Sequence, residues 1–161
     1  NPIGAHPSAA IGELPLGVPN NLVPFLTQAV PGIRGALTVF GADYPTADGK
    51  CIRDYLHVMD LAEAHVAALK WCLAQKSPEA VVRPFNLGTG SGASVLEVIQ
   101  AFERATGERV PYAMGERRAG DVVAIWADPS RAKEELGWET KRSLETALAD
   151  AWRWQQALKT A

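Results

Sequence analysis

The feature that most constrains the fold is alternation: short runs of strand-forming residues interleave with amphipathic segments that carry their own helix start and stop signals. Ser94, followed three residues later by Glu97, forms a capping box, in which a side chain and the backbone satisfy each other's orphan groups at a helix start. Val95, Val98, Ile99 and Phe102 then recur at helical spacing, Gly107 closes the segment, and Arg109 to Met114 reads as a strand. The same logic predicts a helix over about 21–31 with Asn21 as N-cap and Pro24 in its first turn, then a strand at Leu37 to Phe40. An extended run follows at Ile52 to Val58, and a helix from Asp60, in the capping position, to about Leu73. Val81 to Leu87 reads as a buried strand, Asp128-Pro129 opens a short helix to about Leu136, and Ser143 caps a last helix marked by Leu144, Leu148, Trp152 and Gln155. This order is α/β. The first twenty residues, broken by Pro2, Pro7, Pro15, Pro19 and three glycines, are expected to be loop.

The 161 residues suit one domain large enough to bury a core without disulfide or metal staples. A balance of 16 basic against 18 acidic residues gives no concentrated positive field, which argues against nucleic acid and against a polybasic membrane anchor. With no apolar run near the length of a membrane span and no export signal, the expected setting is cytoplasmic. Cys51 and Cys72 have no ligand-type neighbours and read as free thiols, buried or partly buried. The opening Asn1-Pro2-Ile3-Gly4 has the look of a fragment.

Gly88-Thr89-Gly90-Ser91-Gly92-Ala93 obeys the dinucleotide-binding spacing, but no acidic residue ends the next strand to hold a ribose, so it reads as an ordinary strand-to-helix turn. His57, Asp60 and His65 match neither a zinc pair nor a nucleophile arrangement and read as structural. The tryptophans read as core and subunit-contact residues. Arg117-Arg118-Ala119-Gly120-Asp121 supports two readings: guanidinium groups that grip a phosphate while Asp121 accepts sugar hydroxyls, or a solvated surface pair. Arg53 is a further cation, and the helix start after Asn20-Asn21 offers backbone N–H groups to the same anion.

Read together, Asn1-Pro2-Ile3-Gly4-Ala5-His6, Pro19-Asn20-Asn21-Leu22, Val39-Phe40-Gly41, Arg53-Asp54-Tyr55-Leu56-His57-Val58, Asn86-Leu87-Gly88-Thr89-Gly90, Arg117 to Asp121 and Leu136-Gly137-Trp138 resemble the C-terminal half of the UDP-glucose 4-epimerase family of extended short-chain dehydrogenases. The resemblance implies the substrate-binding portion of such an enzyme, with elements that complete an absent Rossmann domain, residues 60–90 packing on that domain. It implies a UDP-hexose substrate interconverted between glucose and galactose forms through a 4-keto sugar, in galactose and nucleotide-sugar metabolism. NAD would be bound by the missing N-terminal half, and the parent would be a homodimer.

Carried onto this chain, the resemblance places Asn1 against the substrate, Asn21 and Leu22 at the diphosphate, and Thr38, Val39 and Phe40 along the uracil. Arg53 and Arg118 would neutralise the diphosphate, Asp121 would hold the ribose, and Tyr55 belongs to the same shell. The family's NAD fingerprint and catalytic Tyr-x-x-x-Lys are missing here, so this chain alone is expected to be inactive. Ile125 stands where many members have tyrosine beside the sugar, and Lys50 where threonine is usual. The rival readings are a stand-alone UDP-sugar-binding module and a piece of a nucleotide-sugar dehydratase or decarboxylase.

Overall fold

The computed structural model describes residues 1–75 and 80–158. In chain order its elements are β1 (Pro2–Ile3), α1 (Leu22–Ala29), β2 (Leu37–Phe40), β3 (Ile52–Arg53), β4 (Leu56–His57), α2 (Val58–Ala74), β5 (Ala93–Ser94), α3 (Val95–Thr106), β6 (Tyr112–Gly115), β7 (Ala124–Ile125), α4 (Ser130–Leu136) and α5 (Leu144–Leu158). The chain is α/β. Its strands form three small sheets: β1 beside β4, β2 beside β6, and β5-β3-β7 with β3 in the middle. The β3–β5 pair is antiparallel and the others are parallel.

The main core lies where α1, α3 and α5 close over one face of β2. Leu26, Val39, Val98, Phe102 and Leu148 are fully buried there, and Phe102 meets Trp152 edge to face at 5.8 Å between centroids. Burying each such side chain contributes about 1.5 to 3 kcal/mol. The α3 helix starts as the sequence predicts: Ser94 Oγ accepts the Glu97 N–H, the Glu97 carboxylate accepts the Ser94 N–H, and Gly107 ends the helix in the left-handed region at φ 75°. The Ser143 cap is present too, accepting the Thr146 N–H at 3.1 Å. A smaller cluster of Leu56, Ala64, Ala132 and Trp138 joins α2 to α4.

Several expectations are corrected. The opening segment is not all loop: Pro2–Ile3 pairs with Leu56–His57, and Ala5 bridges Gly12, whose Cα lies against the Trp154 indole with no room for a Cβ. The Ile52 to Val58 run is two strands in separate sheets, with helix beginning at Val58. Asp60 is therefore inside α2, and His57 caps it by accepting the Met59 N–H on Nδ1. The strand at 109–114 runs over Tyr112–Gly115. Asp128 is not the N-cap of α4: that position is taken by Pro129, which makes no side-chain capping bond, and Asp128 accepts the Ser130 N–H from one residue further out. Asn21 occupies the N-cap of α1 without a side-chain capping bond; its amide donates to Glu13 instead.

Val81 to Leu87 is not a buried strand. A strand needs a neighbour to pair its N–H and C=O groups, and among the described residues this segment has none; Val82 is 93% exposed. The outer face of α2 is likewise open, with Val66, Leu69 and Leu73 exposed. Cys72, also on α2, is exposed, whereas Cys51 is buried.

His57 and His65 are each held by hydrogen bonds within the chain. With Nδ1 of His57 accepting a backbone N–H, its Nε2–H is left to donate to Asp150 at 3.2 Å, and His65 donates to the Leu61 carbonyl one helical turn back. Among the described residues no group of three or more His, Cys, Asp or Glu side chains could hold a metal, and no helix is long and apolar enough to cross a membrane.

Candidate functional site

A cleft of about 500 Å³ opens between the N-terminus of α1, the exposed face of β2 and the β3 strand. That volume lies within the range of small-molecule sites. Asn1, Asn21, Leu22, Thr38, Phe40, Arg53, Tyr55, Arg118 and Asp121 all line it. Val39 and Ile125 do not.

Strand alternation explains the split along β2. Leu37 and Val39 are buried against the core and Thr38 and Phe40 are exposed toward the cleft, whose lining Leu37 also reaches. The hydrogen-bond phase adds an edge. The Leu37 N–H donates to Pro111 and the Gly41 N–H to Gly115, so in a parallel ladder the odd residues pair with β6. The N–H and C=O groups of Thr38 and Phe40 then face the opposite, open edge.

The same alternation governs residues 51–55, which run extended through β3. Cys51, Arg53 and Tyr55 turn to the cleft, whereas Ile52 packs against Gly92 and Asp54 is buried on the other side. The Asp54 carboxylate accepts the Thr89 N–H, the Thr89 hydroxyl and the Ala127 N–H, and Gly88 has no room for a Cβ beside it. These bonds clamp β3 between its two neighbours and so set the direction of Arg53 and Tyr55. They also occupy the Gly88-to-Ala93 turn. The Thr89 N–H is donated to Asp54 within the chain.

Charge is concentrated at one end of the cleft. Arg118 donates to Asp121 at 2.9 Å, and Arg53 stands 3.5 Å from the same carboxylate oxygen while donating to the carbonyls of Ile52 and Val122. Two guanidinium groups against one carboxylate leave one net positive charge. The bond to Asp121 raises the Arg118 pKa further above its ordinary value. Burial pushes the Tyr55 phenol up, so it remains an O–H donor. Arg117 turns the other way, donating to Asp43 at 2.6 Å with its guanidinium 4.1 Å from the Tyr44 ring centre. The two adjacent arginines therefore serve different loops, and only Arg118 belongs to the cleft.

At α1, the first-turn N–H groups of Leu22 and Val23 have no partner within the helix, and Pro24 has none to offer. The Asn21 side chain makes no capping bond to them, its amide donating to Glu13 instead. Ile125 is 56% exposed on β7, where it pairs in register with Arg53 and so shares that residue's face of the sheet. Cys51, Asn20, Pro19 and Val95 also line the cleft. Pro19 and Asn20 belong to the Pro19-Asn20-Asn21-Leu22 run of the resemblance; Cys51 and Val95 carry no site signal of their own in the sequence, although the alternation through Arg53 and Tyr55 turns Cys51 the same way.

The family model described as GDP-mannose 4,6 dehydratase matches residues 13–151. The UDP-glucose 4-epimerase of Bacillus subtilis (strain 168) is 54% identical over 98% of this chain and 45% of its own length, and that of Mus musculus 52% over 97% and 44%. The crystal structure of the Stenotrophomonas maltophila enzyme, with bound NAD and formylated UDP-arabinopyranose, superposes with a TM-score of 0.94 at 49% identity over 99% of this chain and 46% of that one. The Bifidobacterium longum enzyme, in complex with NAD+ and UDP, gives 0.90 at 44% identity over 98% and 45%. The chain thus spans under half the length of the relatives it matches. It belongs to the family of the GDP-mannose 4,6 dehydratase model and, within it, corresponds to a C-terminal half of the UDP-glucose 4-epimerases.

Proposed function

We propose that the cleft binds the UDP moiety of a UDP-hexose, and that the chain is the substrate-binding half of an enzyme interconverting UDP-glucose and UDP-galactose. The observation that carries this reading is the pairing, in one cleft, of an open β2 edge with the Arg53–Arg118–Asp121 cluster. A neutral heterocycle with acceptors flanking an N–H suits the free peptide groups of Thr38 and Phe40, and the Phe40 ring offers it an apolar face. A diphosphate needs guanidinium groups and backbone donors, supplied by Arg118, Arg53 and the start of α1. Arg118 is free to turn from Asp121 toward a phosphate because its side chain is 61% exposed. Asp121 retains lone pairs for ribose hydroxyls, and Asn1 and Tyr55 complete the wall.

NAD, present in the relatives' structures, would be held by residues outside these 161 and would supply hydride transfer when bound. The 60–90 region, of which 76–79 lie outside the described residues, is proposed to pack on that cofactor domain; the open face of α2 and the unpaired Val81 to Leu87 segment support this. Homodimerisation and a cytoplasmic setting follow the same family reading. The test is a coupled assay of UDP-galactose conversion: the full-length protein turns over, and the 161-residue chain alone does not. Turnover by the chain alone would refute the division of labour.

Ile125 is proposed to set sugar width, because it shares the Arg53 face of the sheet. UDP-glucose and UDP-galactose are expected to turn over well and N-acetylated sugars detectably but less. In the full-length protein Ile125→Gly should favour the N-acetylated sugars and Ile125→Tyr exclude them, each by about 1 to 3 kcal/mol in kcat/KM. An unchanged ratio of UDP-galactose to UDP-N-acetylgalactosamine kcat/KM across the variants would place Ile125 outside the sugar site.

A further inference from the structure

The strand that carries Arg53 is held on both flanks by very little backbone. β3 pairs with β5 and with β7 through Ile52 and Arg53 alone. Two consecutive side chains extend that pairing in opposite directions. On the cleft side the Arg53 guanidinium donates at 2.7 Å to the carbonyl of Val122, in the segment that leads into β7. On the buried side the Asp54 carboxylate accepts at 3.2 Å the N–H of Ala127, past the other end of β7. The short β7 strand is thereby bolted to β3 beyond both of its ends. The same carboxylate accepts the Thr89 N–H at 3.0 Å and the Thr89 hydroxyl at 2.7 Å, in the turn that enters β5. Asp54 is buried and does not line the cleft, so whatever it does for a ligand it does through other residues.

We propose that Asp54 is a positioning residue for the diphosphate: from outside the cleft it fixes both the backbone that carries Arg53 and, through β7, the Val122 carbonyl that anchors the Arg53 guanidinium. A carboxylate with three donors resists displacement, because moving it would leave buried N–H and O–H groups without acceptors. That rigidity matters for a guanidinium, which meets two phosphate oxygens only when its plane is correctly set. The network does not reach β2, which is held by its own ladder with β6. The diphosphate end of the cleft therefore depends on Asp54, and the base end does not. Asp54→Asn keeps the shape but replaces one acceptor oxygen with an NH2 group. With the amide oxygen turned to Thr89, that NH2 faces the Ala127 N–H, donor against donor, and the bolt to β7 is lost.

The inference rests on the nucleotide reading of the cleft, and the test separates the two. Affinities for UDP, by calorimetry, and for uridine, by competition, are measured on the full-length protein at a temperature where circular dichroism shows each variant folded. Asp54→Asn is expected to weaken UDP by at least about tenfold and uridine by less than about threefold. A general loosening of the fold would lower both alike. In an Arg53→Ala background the same substitution is expected to cost UDP less than about threefold, because the residue it acts through is already gone. Thr89→Val, which removes one donor and leaves the carboxylate in place, should show the same pattern at about twofold to fivefold, and it carries the test if Asp54→Asn does not fold. Equal losses of UDP and uridine, an unchanged UDP affinity, an Arg53→Ala protein that binds UDP as before, or a loss undiminished in the Arg53→Ala background would overturn the proposal. Failure of the unaltered protein to bind UDP would overturn the nucleotide reading, and the positioning role with it.

Discussion

Asp60→Ala is expected to destabilise the protein by about 3 to 5 kcal/mol, the cost of breaking a buried ion pair from one side. Asp60 is fully buried inside α2. Its carboxylate accepts the backbone N–H groups of Lys141 and Arg142, both at 3.1 Å, and is bridged by the Arg142 guanidinium. Its own carbonyl accepts the Trp138 indole N–H at 2.9 Å. The residue thereby ties α2 to the segment that leads into α5. Removing the carboxylate strands two backbone donors and a partly buried cation in the smaller core. Asp60→Asn keeps one acceptor oxygen and should recover part of the loss. Glu63→Ala is the control: Glu63 also binds Arg142 and Lys141, but nearer the surface, where such pairs contribute about 0 to 1 kcal/mol. Urea unfolding of the three variants measures the differences. Equal effects for Asp60→Ala and Glu63→Ala would show that burial of the pair does not matter.

Asp60 also shows what a sequence conceals. Its position near a helix start suggested a cap, the commonest use of aspartate there. Its actual partners are some eighty residues away, and no local pattern encodes them. The capping box at Ser94, the glycine stop at Gly107 and the Ser143 cap were legible because each is satisfied within a few residues. The two-residue strand at Pro2–Ile3 was not, since its only reason to extend is the distant Leu56–His57 edge. Val81 to Leu87 has the composition of a strand, but composition cannot provide the neighbour a strand requires.

The cleft divides along the same line. Thr38 and Phe40 follow from period-two alternation, which also shows why the Val39 side chain, grouped with them by resemblance, belongs to the core. The Arg118–Asp121 pair was visible as spacing, but the parting of Arg117 from Arg118 was not, because the partners that hold the Arg117 side chain, Asp43 and Tyr44, lie far upstream. Asp54 escaped notice as well. Its acceptors are satisfied by the Gly88-to-Ala93 turn and by the segment that follows β7, which meet only in the folded chain.

The second large effect concerns Arg118. In the full-length protein Arg118→Ala should weaken UDP binding by about 1.5 to 3 kcal/mol, the contribution of a hydrogen bond to a charged group. Arg118→Lys should restore only part, because an ammonium cannot make the planar two-pronged contact with a phosphate. Stability should barely change, since the Arg118 side chain is 61% exposed. Arg117→Ala, facing Asp43 away from the cleft, should leave UDP affinity near that of the unaltered protein. Calorimetry on the three variants checks this. Equal losses at Arg117 and Arg118 would mean that general positive charge, not the cleft geometry, attracts the nucleotide.

The open edge of β2 is proposed to read a uracil, and base selectivity is the property that decides it. Uracil presents an acceptor at position 4 beside an N–H at position 3, whereas cytosine presents a donor at position 4 beside an acceptor. The peptide groups of Thr38 and Phe40 are fixed by the pairing of β2 with β6, so they cannot reverse their polarity to suit cytosine. Titrating UDP and CDP into the full-length protein is therefore predicted to show UDP binding at least about tenfold more tightly, because the wrong base leaves strand-edge groups unpaired. Equal affinities for the two diphosphates would contradict the account.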